Sequence, residues 1–356
     1  MKTLLDDNKT FDTYDTADVY QSLIDLSHQF ESGWYDSQLL NLGFDTNSIK
    51  NIVFVGMGGS NLPAHILHGL SPYLFNCPFE IISNYRLPQY ADKNTLIILV
   101  SYSGNTNEVL SCAKEVSKRN LKTIVITVGG SLKNEAINNH WPILVLDDKL
   151  NRSHVPRYGI GLLLGASLGV VVRLNPEAFR HIDPKEIVRS IERAQQNLKK
   201  EIETDSNPAK SLAIKNKGQA IIIISSNHLA GVAKTAANFV NETSKTFSAS
   251  FLIPDLNHHF LEGLVFPISL KDNLRFLFLN SSLYPDIVQK RILVTKEIIL
   301  KQKYQLTIIK PESIDAVSQV FESLAFLTMF SYYLSIANKQ DPGTNPWVDL
   351  FKKQLT

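Results

Sequence analysis

Only two cysteines, Cys77 and Cys112, occur in 356 residues. They are too few for a disulfide framework or a four-thiolate metal site, and no metal-ligand spacing surrounds them, so they read as reduced, buried thiols. An excess of one charge is also missing: 36 Lys plus Arg against 34 Asp plus Glu give a formal net charge of +2. That balance carries no electrostatic footprint of a nucleic-acid or membrane-surface partner, so any anion site must be local. The longest nearly apolar stretch, Gly159 to Val172, is about 14 residues, shorter than the roughly 18 of a membrane-spanning helix, and reads as a buried core helix. The opening MKTLLDDNKTF places acids where a secretory signal needs an apolar core, which makes the cytoplasm the expected compartment. With 44% hydrophobic, 20% charged and 9% aromatic residues, the composition is that of a globular chain. The length predicts two domains rather than one small module.

The hydropathy pattern alternates strands with helices. After a polar first fifty residues, Asn51 to Val55 reads as a strand that enters Gly56-Met57-Gly58-Gly59-Ser60 and then a helix through Leu70. The arrangement repeats at Thr95 to Val100, which enters Ser101-Tyr102-Ser103-Gly104-Asn105-Thr106 and a helix over Asn107 to Arg119. Further strands are predicted at Phe79 to Ser83, Thr123 to Val128 and Ile143 to Leu146. A charged amphipathic helix follows from Asp183 to about Glu203, with a linker at Thr204 to Pro208. The alternation then restarts, with strands at Gln219 to Ser225, Phe247 to Ile253, Leu274 to Asn280 and Gln305 to Ile309. Helices are predicted at Leu229 to Asn241, Pro285 to Lys303 and Pro311 to Asn338. The expected fold is α/β: two related subdomains, 1–204 with a leading helical segment and 205–356 with a C-terminal helix, each a mostly parallel sheet flanked by helices as a three-layer sandwich.

Parallel sheets bind ligands at the carboxyl ends of their strands, where helix N-termini offer free N–H groups and a positive dipole end. Ser101, Ser103 and Thr106 place three hydroxyls within six residues of such an end, and Gly104 permits a tight turn. The loop reads as a phosphate cradle, with ordinary helix capping as the alternative. The Gly56 to Ser60 loop alone would admit a dinucleotide, but the acid expected at the end of the next strand is missing there: Ser83 and Asn84 occupy it, and Glu80 lies at the strand's beginning. Glu242, just after a helix, and Asn257-His258-His259, just after a strand, present a carboxylate and an imidazole fit for general base and general acid. Surface or capping roles are the alternative for each. The paired histidines lack the i, i+4 spacing of a helical zinc motif, so no metal is assigned.

As an ordered set, GMGGS, SYSGNT, Pro156-Arg157, Asn241-Glu242 and Asn257-His258 resemble the sugar isomerase (SIS) domain proteins, and most closely the bifunctional phosphoglucose/phosphomannose isomerase family. The similarity runs from about Asn51 to the C-terminus and includes Tyr85-Arg86-Leu87-Pro88. It implies a cofactor-free isomerase of carbohydrate metabolism, acting in glycolysis and gluconeogenesis. Glucose 6-phosphate and fructose 6-phosphate would be its substrates, with mannose 6-phosphate as a second candidate. By the same resemblance, Ser101, Ser103 and Thr106 hold the sugar phosphate, Gly58, Gly59, Ser60 and Arg157 lie beside the sugar carbons, and Glu242 is the base. His258 opens the ring, with His259 as the alternative, and Lys352 (or Lys353, one register on) supplies the lysine of the C-terminal helix. Subunits of the family pair, so a homodimer is implied in which His258 crosses the interface to serve the Glu242 of its partner. The chain departs from the family in three places. His259-Phe260 replaces the usual Asn-Glu, Thr235-Ala236-Ala237 replaces basic residues ahead of Glu242, and Asn345 replaces the Thr or Gln that bears on mannose 6-phosphate. These departures are what a non-catalytic sugar-phosphate sensor would show; an isomerase of amino sugar phosphates is a third reading.

Overall fold

The computed structural model describes residues 2–355 and contains two parallel sheets. The first comprises β1 (Asn51–Val55), β2 (Phe79–Ile82), β3 (Thr95–Ser101), β4 (Lys122–Thr127) and β5 (Ile143–Val145) in the order β2-β1-β3-β4-β5. The second comprises β6 (Ala220–Ser225), β7 (Ser248–Leu252), β8 (Leu274–Leu279) and β9 (Gln305–Ile309) in the order β7-β6-β8-β9. Every pairing is parallel. Each sheet needs helices on its faces, because its strands are apolar on both sides. In β3, Leu96, Ile98 and Val100 enter one apolar cluster while Ile97 and Leu99 enter another, the alternation that a pleated strand imposes. The expected three-layer α/β architecture is therefore the one observed.

The first fifty residues are largely helical. They contain a helix, Leu26–Leu39, that lies along the apolar helix Ile160–Leu174, and at Gly33 and Gly165 the contact is backbone against backbone. A Cβ on Gly165 would stand 2.1 Å from the Phe30 carbonyl oxygen, and one on Gly33 would stand 2.1 Å from that of Leu162. Two helices, Pro156–Leu174 and Ala316–Ala337, are long and apolar enough to cross a membrane, and 89% of each window is buried inside the fold. The first holds the Gly159 to Val172 run, which is a buried core helix as expected. A third large cluster joins the two sheets' helices, uniting Phe30 and Leu164 with Phe239, Phe321 and Tyr333.

Several boundaries move. The helix expected to end at Asn241 is Ala230–Ser244 and so contains Glu242 in its last turn. The charged helix stops at Gln196 rather than Glu203, and the long helix starts at Ala316 rather than Pro311, because Asp315 caps it. Cys112 is buried and Cys77 half-buried, and both are free thiols.

Candidate active site

Three segments that are distant in sequence interlock at the carboxyl ends of β1 and β3. Met57 leads into a short turn, Gly58–Asn61, and Gly58 has φ +52, a left-handed conformation that favours glycine. Gly59 lies against the Pro156–Gly159 turn: a Cβ there would meet the Arg157 backbone at 3.0 Å. The Ser60 hydroxyl accepts a 2.9 Å hydrogen bond from the Tyr102 amide and so fastens the GGS turn to the SYSGNT loop. Tyr102 closes the triangle, because its ring fills the space a side chain at Gly159 would need, at 2.3 Å from the Cβ position. Its hydroxyl is held by Asn151 at 2.7 Å. Tyr102 is thus the wedge that relates all three motifs, and its place between Ser101 and Ser103 gives no sign of that role.

The hydroxyl cradle is formed. Ser101 is buried at the end of β3, and its Oγ lies 2.9 Å from Thr106 Oγ1 and accepts from the Gly104 amide at 3.1 Å. Thr106 is the N-cap residue of the helix Asn107–Arg119 but makes no side-chain cap bond to it, so the hydroxyl faces the loop and the first-turn amides stay available to an anion. Ser103 is exposed at the rim. Gly104, at φ +70, lies against a second glycine pair: a Cβ would strike the Gly129 carbonyl oxygen at 1.8 Å.

Across from the cradle, the Arg157 guanidinium is buried (2% exposed) and its Nη1 lies 3.6 Å from Glu242 Oε2, a carboxylate still one-third open to solvent. Arg157 Nε donates to Thr243 Oγ1 at 3.4 Å, Nη2 donates to the Pro342 carbonyl, and the guanidinium stacks 4.5 Å from the Tyr158 ring. The Tyr158 hydroxyl donates to the Pro342 carbonyl at 2.7 Å, and burial pushes its pKa up to about 12. A fixed cation beside an accessible carboxylate suits proton abstraction from a carbon whose neighbouring oxygen becomes negative.

The structure brings together Gly58, Gly59, Ser60, Ser101, Ser103, Thr106, Arg157 and Glu242. It does not bring His258 or Lys352 to them within one chain. His258 ends an exposed turn, Asp255–His258, and Lys352 lies on the helix Pro346–Leu355, none of whose described residues is buried. His259 instead faces Asp255, with Nε2 3.6 Å from the carboxylate. Asn345 opens the C-terminal helix, its carbonyl accepting from the Asp349 amide at 2.9 Å. The departures have packing explanations. Phe260 is wedged against Phe251 with ring centroids 4.4 Å apart, and Thr235, Ala236 and Ala237 are buried helix positions. Among the described residues no cluster of three His, Cys, Asp or Glu gathers as a metal site.

Comparison with known proteins places this geometry in a lineage. Residues 205–355 match the bacterial phospho-glucose isomerase C-terminal SIS domain, and residues 47–141 match the SIS domain. A bifunctional phosphoglucose/phosphomannose isomerase of Aquifex aeolicus is 26% identical over 95% of this chain and 98% of its own length. The chain resembles the bifunctional phosphoglucose/phosphomannose isomerases over nearly its whole length. The family member of Caldicellulosiruptor bescii is similar to the same extent, 24% identical over 95% of this chain and 98% of its own. Among solved structures, a hypothetical protein of Thermus thermophilus shares the fold with a TM-score of 0.74. It is 13% identical, and the match covers 98% of this chain and 92% of that one. The two matched ranges hold the GGS turn, the hydroxyl cradle, Glu242 and the C-terminal helix, and the Pro156–Gly159 turn lies between them.

Proposed function

We propose that the protein interconverts glucose 6-phosphate and fructose 6-phosphate through an enediolate, with Glu242 as the base. The supporting observation is the Arg157–Glu242 pair, held at the junction of the GGS turn and the hydroxyl cradle. The substrate phosphate would take the Ser101, Ser103 and Thr106 hydroxyls and the first-turn amides of the following helix. With the phosphate fixed, the carbons at the other end of the sugar reach Glu242. Its carboxylate removes the C2 proton of the open-chain aldose and returns it to C1. Arg157 stabilises the oxyanion that develops between these steps. No electron leaves the substrate, so the step balances without a redox partner.

The same reading includes a homodimer in which His258 of one subunit opens the ring at the partner's Glu242 and Lys352 exchanges a proton with the sugar oxygens. It also includes a division at residues 204 and 205, a place in glycolysis and gluconeogenesis, and the cytoplasm as compartment. Mannose 6-phosphate as a second substrate depends on how Asn345 orients water at C2. The exposure of His258 and of the C-terminal helix in one chain supports the shared site, since groups presented outward are free to serve a neighbour. Mixing an inactive Glu242→Gln chain with an inactive His258→Ala chain should restore part of the turnover once subunits exchange. Absence of rescue after proven exchange would place each site within one chain.

A second expected result concerns the cradle. Thr106→Val removes one hydroxyl and should raise KM for fructose 6-phosphate about 10- to 100-fold, the value of a hydrogen bond to a charged group, with a smaller change in kcat. An unchanged KM would place the phosphate elsewhere.

A further inference from the structure

Glu242 is followed, three residues on, by a lysine whose position no motif accounts for. Lys245 ends the Ala230–Ser244 helix in the left-handed conformation, φ 50, where glycine or asparagine is the usual choice. Its tip reaches the loop ahead of the C-terminal helix. The Nζ donates to the Asp341 carbonyl at 2.5 Å and to the Thr243 carbonyl at 3.2 Å. The next carbonyl along, that of Pro342, is the one held by Arg157 Nη2 and the Tyr158 hydroxyl. Asp341 is pinned from its other side too: its carboxylate accepts from Thr16 Oγ1 at 2.6 Å and from the Gly343 amide at 2.7 Å. Two consecutive carbonyls of one loop are therefore clamped by three side chains, and one of the three touches Glu242. Beyond that loop the chain enters Asn345 and the C-terminal helix.

Given the isomerase reading above, we propose that Lys245 is a positioning residue: it ties the 341–345 segment to the end of the Glu242 helix, and so fixes where Arg157 stands against Glu242 and from where the C-terminal helix departs. Remove the tie and Asp341 keeps only its carboxylate contacts to Thr16 and Gly343, so its carbonyl can turn. The Pro342 carbonyl moves with it, and Arg157 follows its partner away from the carboxylate. The charged groups facing the ammonium are Arg157 from the Pro156–Gly159 turn, Glu242 on its own helix and Asp341 in the loop. Burial and the Arg157 charge pull the Lys245 pKa down to about 8, against the opposing pull of Asp341 and Glu242. The tie therefore loses its charge as pH rises through 8, which predicts a fall in kcat on the alkaline side.

Lys245→Asn separates the tie from the helix cap, because asparagine accepts the left-handed conformation but is too short to reach Asp341. The expected result is a melting temperature within about 2 °C of wild type, with kcat down about 10²-fold, the scale of a misplacement of ~1 Å at a reacting centre, and KM within about threefold. Amide hydrogen exchange over residues 341–349 should speed up in the absence of any sugar. Lys245→Arg, which keeps its charge at all accessible pH values, should restore most of the kcat and remove the alkaline fall. Wild-type kcat in Lys245→Asn would overturn the proposal, as would unchanged amide protection of 341–349. If the wild-type protein shows no isomerisation at all, the functional reading fails, yet the exchange comparison still decides whether Lys245 holds the loop.

Discussion

Glu242→Gln is expected to lower kcat for fructose 6-phosphate by roughly 10²- to 10⁴-fold, the usual worth of a positioned general base, and to leave the affinity for the sugar phosphate nearly intact. Glutamine keeps the shape of the side chain and an amide oxygen that can still face Arg157 Nη1. It loses the charge and the ability to accept a proton from carbon. Because the cradle is built from Ser101, Ser103 and Thr106 and not from Glu242, ground-state binding of the phosphate has no reason to change. The variant leaves a buried guanidinium without its counter-charge, so its melting temperature should be recorded alongside. Turnover is measured in a coupled assay, and loss of C2 deuterium to solvent is followed in parallel. Retained turnover and exchange would remove Glu242 from the mechanism. The same assay run with mannose 6-phosphate reads out whether Asn345 permits the second epimer.

The largest structural effect is expected at Gly165. Valine there would drive its Cβ and two methyl groups into the Phe30 carbonyl, which already stands 2.1 Å from the Cβ position. The obstacle is backbone rather than a mobile side-chain tip, so relief requires the helices Leu26–Leu39 and Ile160–Leu174 to part. Gly161 and Gly169 on the same ridge would then lose their close approach to Gln29 and Ser37. The cost should be about 3 kcal/mol or more, read as a lowered denaturation midpoint with an unchanged slope. A valine variant as stable as wild type would mean that the two helices are not packed in this way.

Much of this architecture is legible in the sequence because strands and loops carry strong local signals. The apolar runs that form β1, β3, β6 and β8 are buried on both faces, and the hydroxyl and glycine loops follow β1 and β3 as a parallel sheet requires. A leading helical segment is expected, but the bounds and seat of the Leu26–Leu39 helix escape such a reading because its partner surface is a row of glycines. A helix that packs backbone to backbone has no need of a continuous apolar stripe, and so displays none. The end of the Glu242 helix falls one turn later than expected for a different reason. Asn241, Thr243 and Ser244 are weak helix formers, yet Thr243 and Ser244 are fully buried and tertiary packing holds them helical. The early start expected for the long helix leaves out Glu322, whose carboxylate accepts from the amides of Glu312 and Ser313 and keeps that stretch a turn.

Within the site, Glu242 and Arg157 stand out by their motifs and do meet, 3.6 Å apart. Tyr102, Thr243 and Lys245 do not stand out, since each acts by holding other residues and none has a chemistry that shows in a string of letters.

The glycine-lined contact also orders events in time. Residues 26–39 leave the ribosome long before their seat at 160–174 exists, since about 120 residues come between, an interval of roughly 6–24 s at ordinary elongation rates. All five strands of the first sheet are translated within that wait. The early helix must then remain accessible while the sheet assembles, and docks only when Gly161, Gly165 and Gly169 arrive to receive it. Its closure is a long-range event that sets a lower limit on how soon the first half of the nascent chain becomes resistant to proteolysis.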